Sequence, residues 1–541
     1  MKHKSFVQGA FILGMAALIS KILGGIYRIP YQNIVGNEGL ALYNLVYPMY
    51  TTLLVVSTAG FPIAVSKFVS ERLAVGDIRG AERIFRVAFV LMIFTGLTSF
   101  SVLYFGSDIL AGLAGDPGAS LSIKSVSFAL LIVPIVAVIR GYFQGWQEMM
   151  PTAVSQVWEQ LIRVITILVL SFVLIQTSVE MAAAGAVFGA FTGAALSVVI
   201  LGYYYWKHRP VVAKEIERLD QRKTQDKYSQ EPLLGLIKKM TLYALPICFG
   251  TLVLPLFNLA DSYTVINVLQ WTGMESIDAR FMFGVYSKAL PLVQLSALFA
   301  TALSLALIPS ISEAKSLRQD QVIKDRTLFA LRLTIIIGLP AAFGLSILAK
   351  PINMALFNET IGTDVIMVLA FATILSTLEI TSSGILQGVG ESMRPAKNLF
   401  VGFIVKVGLN ILLVIYIGVI GAAVATILAY GVALTLNMRD LKKYTKVTYH
   451  WRLLLIKPLL AALLMAACVY GTQTLIQGVL AGLASERMAQ ALITAIGVTV
   501  GVVVYGIALL VTRSLTIEEL GMIPKVGRKL QRIVARLGIY R

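Results

Sequence analysis

The chain contains 541 residues, of which 57% are hydrophobic and 14% are charged, and its mean hydropathy is +0.81. Soluble domains are about 45–50% apolar and about 25% charged, so this composition excludes a soluble globular protein. The formal net charge of +18 would suggest nucleic acid as the partner of a soluble chain. In a membrane protein it reflects the distribution of Lys and Arg among the loops, and no nucleic-acid partner is expected.

Apolar stretches long enough to cross a bilayer recur along the whole chain. A helix rises about 1.5 Å per residue, so a hydrocarbon core of about 30 Å requires about 20 residues. The sequence therefore predicts an all-α polytopic membrane protein with about fourteen transmembrane helices. In chain order they are expected at 6–30, 41–66, 84–106, 121–143, 152–177, 181–206, 241–269, 280–311, 327–349, 364–388, 396–416, 418–437, 453–475 and 487–512. The first is expected to be retained, because Lys21 and Arg28 stand where signal-peptide cleavage requires small residues.

Basic residues crowd alternate loops of this plan, whereas the loops at 32–40, 106–122 and 351–363 contain none. Lys and Arg are enriched in cytoplasmic loops. Both termini are therefore predicted to lie in the cytoplasm, with the protein in the plasma membrane. The loop residues concerned are Lys67, Arg72, Arg79, Arg83, Lys207, Arg209, Lys214, Arg218, Arg222, Lys223, Lys315, Arg318, Lys324, Arg326, Arg439, Lys442, Lys443 and Lys446.

One short motif occurs twice. The segment Gly141–Glu148 (GYFQGWQE) matches Gly384–Glu391 (GILQGVGE), and the same spacing aligns Arg163 with Lys406. This repeat predicts two six-helix lobes of equal orientation, related by an axis along the membrane normal, which suits alternating access. The expected segments are an N-lobe at 1–206, a basic cytoplasmic linker at 207–240, a C-lobe at 241–437, a helix pair at 438–512 and a basic amphipathic cytoplasmic tail at 513–541.

Several charged side chains fall inside the predicted helices. A charge at the bilayer centre costs about 2.5–3.5 kcal/mol on insertion scales, so these residues are expected to face a protein interior or an aqueous cavity. The set is mainly basic, which predicts an anionic substrate, and guanidinium groups bind phosphate oxygens bidentately. The predicted substrate-binding residues are Lys21, Arg28, Gln156, Glu159, Arg163, Lys288 and Lys406, and the predicted ion-coupling residues are Asp261, Glu379 and Asn410.

Three of these assignments have structural alternatives. Glu159 and Arg163 are four residues apart and can neutralise each other on one helix. Arg28 can lie near the outer interface and extend its guanidinium group to the headgroups. Asp261 can form a bridge to one of the C-lobe lysines, or it can bind a coupling cation.

Motifs of enzymes and of ATP-driven pumps are missing from the sequence. The three histidines lie in the N-terminal tail or in polar loops and the two cysteines lie in apolar stretches, so neither a metal site nor a disulfide is expected. No Gly-rich phosphate loop occurs. The protein is therefore predicted not to be an enzyme, to need no cofactor, and to draw on the membrane potential or an ion gradient.

Two further patterns indicate surfaces. Gly185, Gly189 and Gly193 recur every four residues in helix 6, which predicts a closely packed face. In the tail, apolar residues at helical spacing alternate with Lys and Arg over 524–541. That pattern predicts an amphipathic helix on the anionic lipids of the cytoplasmic leaflet.

Six segments together carry a family resemblance. They are Ser20–Pro30 (SKILGGIYRIP), Gly39–Tyr43 (GLALY), Phe61–Lys67 (FPIAVSK), Arg140–Gly145 (RGYFQG), Pro151–Gln156 (PTAVSQ) and Glu159–Arg163 (EQLIR). With them the chain resembles the polysaccharide transporter family of the multidrug/oligosaccharidyl-lipid/polysaccharide (MOP) exporter superfamily. The resemblance is strongest to the SpoVB/YtgP branch, whose relatives include the lipid II flippase MurJ.

The resemblance implies a MATE/MurJ-like arrangement of two lobes around a cationic cavity. It places the family's helix 1 basic residues at Lys21 and Arg28 and its helix 8 basic residue at or beside Lys288, and it implies that the final helix pair forms a groove for a polyprenyl tail. The implied function is a flippase for an undecaprenyl-diphosphate-linked glycan precursor, above all lipid II. Lys406 and Asn410 in helix 11 depart from the acids of sodium-binding relatives, which puts sodium coupling in doubt.

Alternatives remain at this point. The substrate can be another polysaccharide precursor or a spore-cortex precursor, and a multidrug/cation antiporter of the same superfamily is disfavoured by the basic residues of helix 1. A membrane glycosyltransferase would need catalytic carboxylates or a large outer domain. The expected partners are the lipid-linked glycan, anionic lipids at the tail and proteins of cell-wall synthesis.

Overall fold

The computed structural model describes residues 3–58, 60–221, 232–449, 452–480, 485–512 and 514. Throughout those ranges the chain is helical and forms no strand, which confirms the prediction of an all-α polytopic membrane protein. Twelve described helical stretches are long and apolar enough to cross a membrane. Two of them, Phe11–Ala74 and Met393–Thr445, have lengths of 64 and 53 residues, and in each the sequence predicts two helices.

The chain forms two compact units, Met1–Ser287 and Lys288–Arg541. The helices of unit 1 are α1 (His3–Ile26), α2 (Arg28–Thr58), α3 (Phe61–Ala74), α4 (Ile78–Phe105), α5 (Ser107–Leu113), α6 (Ser120–Gly145), α7 (Met150–Leu174), α8 (Val179–Gln221), α9 (Leu233–Trp271) and α10 (Ser276–Ser287). Aromatic and small side chains of α3, α4 and α6 build one core here. Within it the Phe85 and Tyr142 ring centroids lie 4.5 Å apart. This core holds α6 and α3 together at the repeated glycine motif.

Unit 2 has its own core. Its helices are α11 (Leu290–Ser316), α12 (Asp320–Ile347), α13 (Ala349–Phe357), α14 (Thr363–Leu369), α15 (Ala372–Gly388), α16 (Met393–Thr445), α17 (Lys457–Leu480) and α18 (Glu486–Val511). Buried Leu and Ile side chains of α12 and α15 pack with Met465 of α17 and Tyr505 of α18. The last two long helices are therefore part of this unit's hydrophobic core.

The predicted boundaries of helices 1 and 2, and of the loop between them, were wrong in three places. Helix 1 was expected to run to residue 30, but α1 ends at Ile26 and Arg28 begins α2. The expected loop at 32–40 is helical, and only Gly36 departs from helical geometry, with φ 68°. Glycine alone adopts such a conformation without steric cost. Helix 2 was expected to reach residue 66, but α2 ends at Thr58, and Pro62 then starts α3 at the position where a missing N–H costs nothing.

Predicted helix 8 was expected to be continuous over 280–311, and this too was wrong. The chain leaves the helix at Lys288 and Ala289, between α10 and α11. Pro291 sits at the start of α11 and has no N–H to donate to the carbonyl of Ser287, so the helical ladder stops there. The two compact units divide at the same point.

The predicted linker at 207–240 is helical at both ends, because α8 continues to Gln221 and α9 begins at Leu233. The residues 222–231 lie outside the described ranges. The predicted tail at 513–541 also lies outside them, apart from Ser514.

Candidate functional site

A partly buried ion triad joins α6 and α7 in unit 1. Arg163 of α7 places Nη2 at 2.8 Å from Glu159 Oε1, and Arg140 of α6 places Nη2 at 2.8 Å from Glu159 Oε2. Ser197 of α8 donates to the same Oε2 at 3.1 Å. One carboxylate thus neutralises one of two guanidinium groups. The triad keeps one net positive charge inside apolar helices.

The triad contains the ion pair between Glu159 and Arg163 that the sequence offered as an alternative. Its third member, Arg140, was not among the predicted site residues. Arg140 also donates from Nε to Ser155 Oγ at 3.0 Å and from Nη2 to Ser197 Oγ at 3.3 Å. Sequence reasoning assigned Arg140 only to the motif at the end of helix 4. The signal that could have found it is a lone arginine inside the span-length helix Pro117–Gly145.

Two predicted packing glycines let α8 reach the triad. A Cβ atom on Gly193 would lie 2.6 Å from the backbone oxygen of Glu159, and one on Gly189 would lie 2.9 Å from that of Arg163. No side chain fits at such distances. Close approach of α8 is what brings Ser197 within hydrogen-bond distance of Glu159.

Helix α1 packs against α7 one turn from the triad. Ser20 Oγ lies 3.4 Å from the Gln156 carbonyl oxygen, and Gly24 faces the Gln160 side chain, with a Cβ-to-Nε2 distance of 3.2 Å. The structure therefore brings α1 beside the polar face of α7 that the sequence predicted. Of the two predicted basic residues in this region, Lys21 of α1 is exposed and Arg28 at the start of α2 is half-buried.

Five tyrosines form a continuous column in α1–α2 that the sequence analysis missed. Their ring centroids lie 6.3 Å apart for Tyr27 and Tyr43, 5.3 Å for Tyr31 and Tyr43, 5.4 Å for Tyr43 and Tyr47, and 5.8 Å for Tyr47 and Tyr50. Three members are spaced four and three residues apart on one helical face, which is the signal that could have revealed them.

The tyrosine column lies between two of the predicted binding residues. The electrostatic neighbours of Arg28 include Tyr27, Tyr43 and Tyr47. Those of Arg163 include Tyr43, Tyr47 and Tyr50. Phenol groups therefore connect the start of α2 with the ion triad.

A second buried ion cluster fixes α10 within unit 1. Arg280 binds Asp116 through two contacts, Nε to Oδ2 and Nη2 to Oδ1, each of 2.6 Å, and its Nη1 lies 2.8 Å from Glu180 Oε1. Nearby, Gln270 of α9 donates to the Gly115 carbonyl at 2.6 Å. The short segment between α5 and α6 is thus tied to both α9 and α10.

Lys288 lies at the break between α10 and α11 and is fully buried. Its Nζ is 2.7 Å from Glu359 Oε1, and it also donates to the Ile361 carbonyl. Asn353 of α13 donates to the same carbonyl at 3.0 Å. In this conformation Lys288 therefore binds the segment between α13 and α14.

The remaining predicted residues divide between the two units. In unit 1, Asp261 of α9 accepts a hydrogen bond from Tyr286 of α10 at 2.9 Å. In unit 2, Lys406 and Asn410 of α16 are both buried. One helical turn separates these two, so they lie on one face of α16.

Glu379 of α15 sits in a buried polar cluster in unit 2. Its Oε1 accepts from Ser383 at 2.7 Å and from Asn437 of α16 at 3.5 Å. Asn398 in turn donates to Asn437 at 2.9 Å and to Asp440 at 2.8 Å. Among the described residues Glu379 forms no ion pair, and the side chains that donate to it are neutral.

An apolar cavity of about 660 Å³ opens within unit 2. It is lined by α11, α12, α13, α17 and α18, with Leu345, Ile352, Met465, Val498 and Tyr505 among its walls. Its lining is predominantly aliphatic, and the chemistry suits an apolar chain.

Span-length helices, charges buried within them and an apolar cavity together define a polytopic membrane transporter. The sequence matches the family model described as polysaccharide biosynthesis protein over residues 6–315 and the model of the lipid II flippase MurJ over residues 282–486. The chain belongs to the polysaccharide biosynthesis protein family, and it is a MurJ-like member of the MOP exporter superfamily.

Two relatives support this membership, and one solved structure shares the fold. The uncharacterized membrane protein YabM of Bacillus subtilis is 32% identical, across 98% of this chain and 96% of YabM. The lipid II flippase MurJ of the same organism is 30% identical, across 92% of this chain and 94% of that protein. A structure of the lipid II flippase MurJ in an inward closed conformation has a TM-score of 0.64 at 15% identity, covering 92% and 98% of the two chains. The predicted family resemblance is confirmed.

Proposed function

We propose that the protein is a flippase that carries a polyprenyl-diphosphate-linked glycan precursor, with lipid II as the first candidate, from the cytoplasmic to the outer leaflet of the plasma membrane. The observation that carries this proposal is the ion triad of Arg140, Glu159 and Arg163. It places a net positive charge within apolar helices, where an anionic headgroup would be stabilised. The name of the Bacillus subtilis relative supports the choice of lipid II.

The substrate has two chemical parts, and each has a matching feature. Lys21, Arg28 and Arg163 supply the cations, of which a guanidinium group can bind two phosphate oxygens at once. The aliphatic cavity of unit 2 suits the polyprenyl chain. Burying apolar surface is favourable by about 25 cal/mol per Å² when that surface is removed from water, but a polyprenyl chain in lipid is already out of water. In a bilayer the cavity therefore acts mainly as a guide for the chain.

Coupling is proposed to use the membrane potential or an ion gradient, with Asp261, Glu379 and Asn410 as its residues. Glu379 has only neutral hydrogen-bond donors around it among the described residues. A carboxyl group buried without a nearby cation is favoured in its neutral form, so it can carry a proton. Alternating access then exposes the cationic residues first to one side and then to the other.

The experiment that tests the proposal is depletion of the protein followed by measurement of lipid-linked precursors on each face of the membrane. Accumulation of lipid II on the cytoplasmic face is the expected result. Purified protein in liposomes should then move lipid II in response to an imposed potential and without ATP. Accumulation of a different polyprenyl-linked glycan would reassign the substrate, and no accumulation of any such lipid would overturn the proposal.

A further inference from the structure

The tyrosine column contains one member whose environment differs from the rest. We propose that Tyr47 contacts the substrate, donating its hydroxyl hydrogen to a phosphate oxygen while the diphosphate lies between Arg28 and Arg163. This inference rests on the proposed function and adds a neutral residue to a site otherwise defined by charges.

The hydroxyl groups at the other end of the column are already engaged. The Tyr27 and Tyr43 hydroxyl oxygens lie 2.6 Å apart, and Tyr31 donates to the Gly39 carbonyl at 3.0 Å. All three rings are buried. They are therefore structural supports of the column.

Tyr47 is instead half-buried, and its hydroxyl makes no hydrogen bond to any residue that the structure describes. Its ring stacks on Tyr43 with an interplanar angle of 14° and leans against Tyr50. Aromatic packing on both sides fixes the direction of the ring. A preorganised donor is thus held at an accessible edge of the column.

Two buried polar atoms near the ion triad have no hydrogen-bond partner among the described residues. Tyr50 Oη and Arg163 Nε are both buried, and neither atom has a hydrogen-bond partner in the described part of the chain. Each is an electrostatic neighbour of the other. A ligand that is rich in acceptors could satisfy both of these neighbouring donors at once.

A phosphate group meets that requirement because its oxygens accept hydrogen bonds and carry negative charge. Tyr47 is an electrostatic neighbour of both Arg28 and Arg163. A neutral phenol between two cations adds a hydrogen bond without adding charge. The anion can therefore pass from one arginine to the other without meeting a third cation that would hold it.

The test compares Tyr47→Phe with the wild type in full-length protein reconstituted in nanodiscs, with undecaprenyl diphosphate as the probe. Loss of one hydrogen bond to a charged group should weaken binding by about ten-fold. Binding of undecaprenol, which lacks phosphate, should stay unchanged. Tyr50→Phe, which removes the second hydroxyl, should weaken diphosphate binding in the same selective way.

Tyr104→Phe is the matched control, because Tyr104 of α4 is also half-buried and stacks on Phe100 with a centroid distance of 5.2 Å. It should bind both probes like the wild type. Wild-type affinity of Tyr47→Phe for undecaprenyl diphosphate, with binding abolished in Arg163→Ala, would overturn the role of Tyr47 and leave the proposed function standing. Failure of the wild type to bind the diphosphate would overturn both.

Discussion

Arg280 holds Asp116 by a bidentate ion pair in which both nitrogen-to-oxygen distances are 2.6 Å. Asp116 is fully buried, so its carboxylate depends on this partner for compensation. The pair joins α10 to the short segment between α5 and α6. The cluster therefore ties α10 to the rest of unit 1.

Arg280→Ala should lower the free energy of unfolding by about 3–5 kcal/mol, because it leaves a buried carboxylate without a cation. Thermal unfolding of the detergent-solubilised protein measures the loss. Adding Asp116→Ala should recover part of it. Arg218→Ala is the control, since Arg218 forms an exposed pair with Glu215 at 3.3 Å and should cost about 0–1 kcal/mol. Equal unfolding temperatures for the Arg280 and Arg218 variants would contradict the prediction.

The two arginines of the ion triad should respond differently to truncation. Arg140 is held by Ser155, Ser197 and Glu159, whereas Arg163 Nε has no hydrogen-bond partner in the described chain. Arg140→Ala should therefore reduce stability and membrane abundance. Arg163→Ala should leave abundance near normal and abolish translocation in liposomes. A transport-competent Arg163→Ala variant would remove Arg163 from the substrate site.

Gly193→Ala should destabilise the packing of α8 on α7 by about 1–3 kcal/mol, as expected for an overpacked interface. Its new Cβ would lie 2.6 Å from the Glu159 backbone oxygen. Gly202→Ala on the same helix is the matched control, because no atom lies within 4 Å of a Cβ there. That control should be neutral or more stable, since alanine favours helix by about 1 kcal/mol over glycine. The ranking is checked by thermal unfolding, and a reversed order would refute it.

Lys21→Ala and Arg28→Ala should each abolish lipid translocation at normal membrane abundance, because each removes a cation from the predicted substrate path. Complementation of a depleted strain, with immunoblotting of membranes, provides the measurement. Lys124→Ala is the control, since Lys124 pairs with exposed Asp108 at 3.2 Å and should complement fully. Full complementation by both the Lys21 and the Arg28 variant would falsify the assignment.

A peptide spanning 524–541 should become helical on anionic vesicles and remain largely disordered with neutral ones, in a salt-sensitive manner. Each basic residue contributes about 1 kcal/mol of attraction near an anionic surface. These residues lie outside the described ranges, so the amphipathic tail stays a prediction. Circular dichroism is the measurement, and equal helicity on both vesicle types would exclude the electrostatic role.

The helical architecture could be read from the sequence because apolar length is a direct consequence of bilayer thickness. The break at Lys288 and Ala289 could not, since the segment stays apolar and only Pro291 marks it. The polar segment 32–40 suggested a loop, but it is helical on both sides of a break at Gly36. Hydropathy reports burial in lipid, whereas these breaks depend on individual backbone hydrogen bonds.

The candidate site was predictable in its charges and not in its neutral parts. Glu159 and Arg163 were visible as charges in an apolar helix, but the third member, Arg140, seemed to belong to a helix end. The tyrosine column was not predicted because tyrosine is treated as an apolar residue in a hydropathy pattern. Their contribution comes from hydroxyl positions, which depend on how the breaks at Tyr27 and Gly36 turn the chain.

The shared carboxylate of Glu159 has an electrical consequence under the proposed function. When the site is empty, the triad together with Lys21 and Arg28 is net positive, and a bound diphosphate cancels much of that charge. A transmembrane voltage that is negative inside therefore acts more strongly on the empty site than on the loaded one, by about 2.3 kcal/mol per elementary charge at 100 mV. The same voltage would draw the empty site inward, and it would oppose the outward movement of the loaded site less because the bound anion has offset the positive charge.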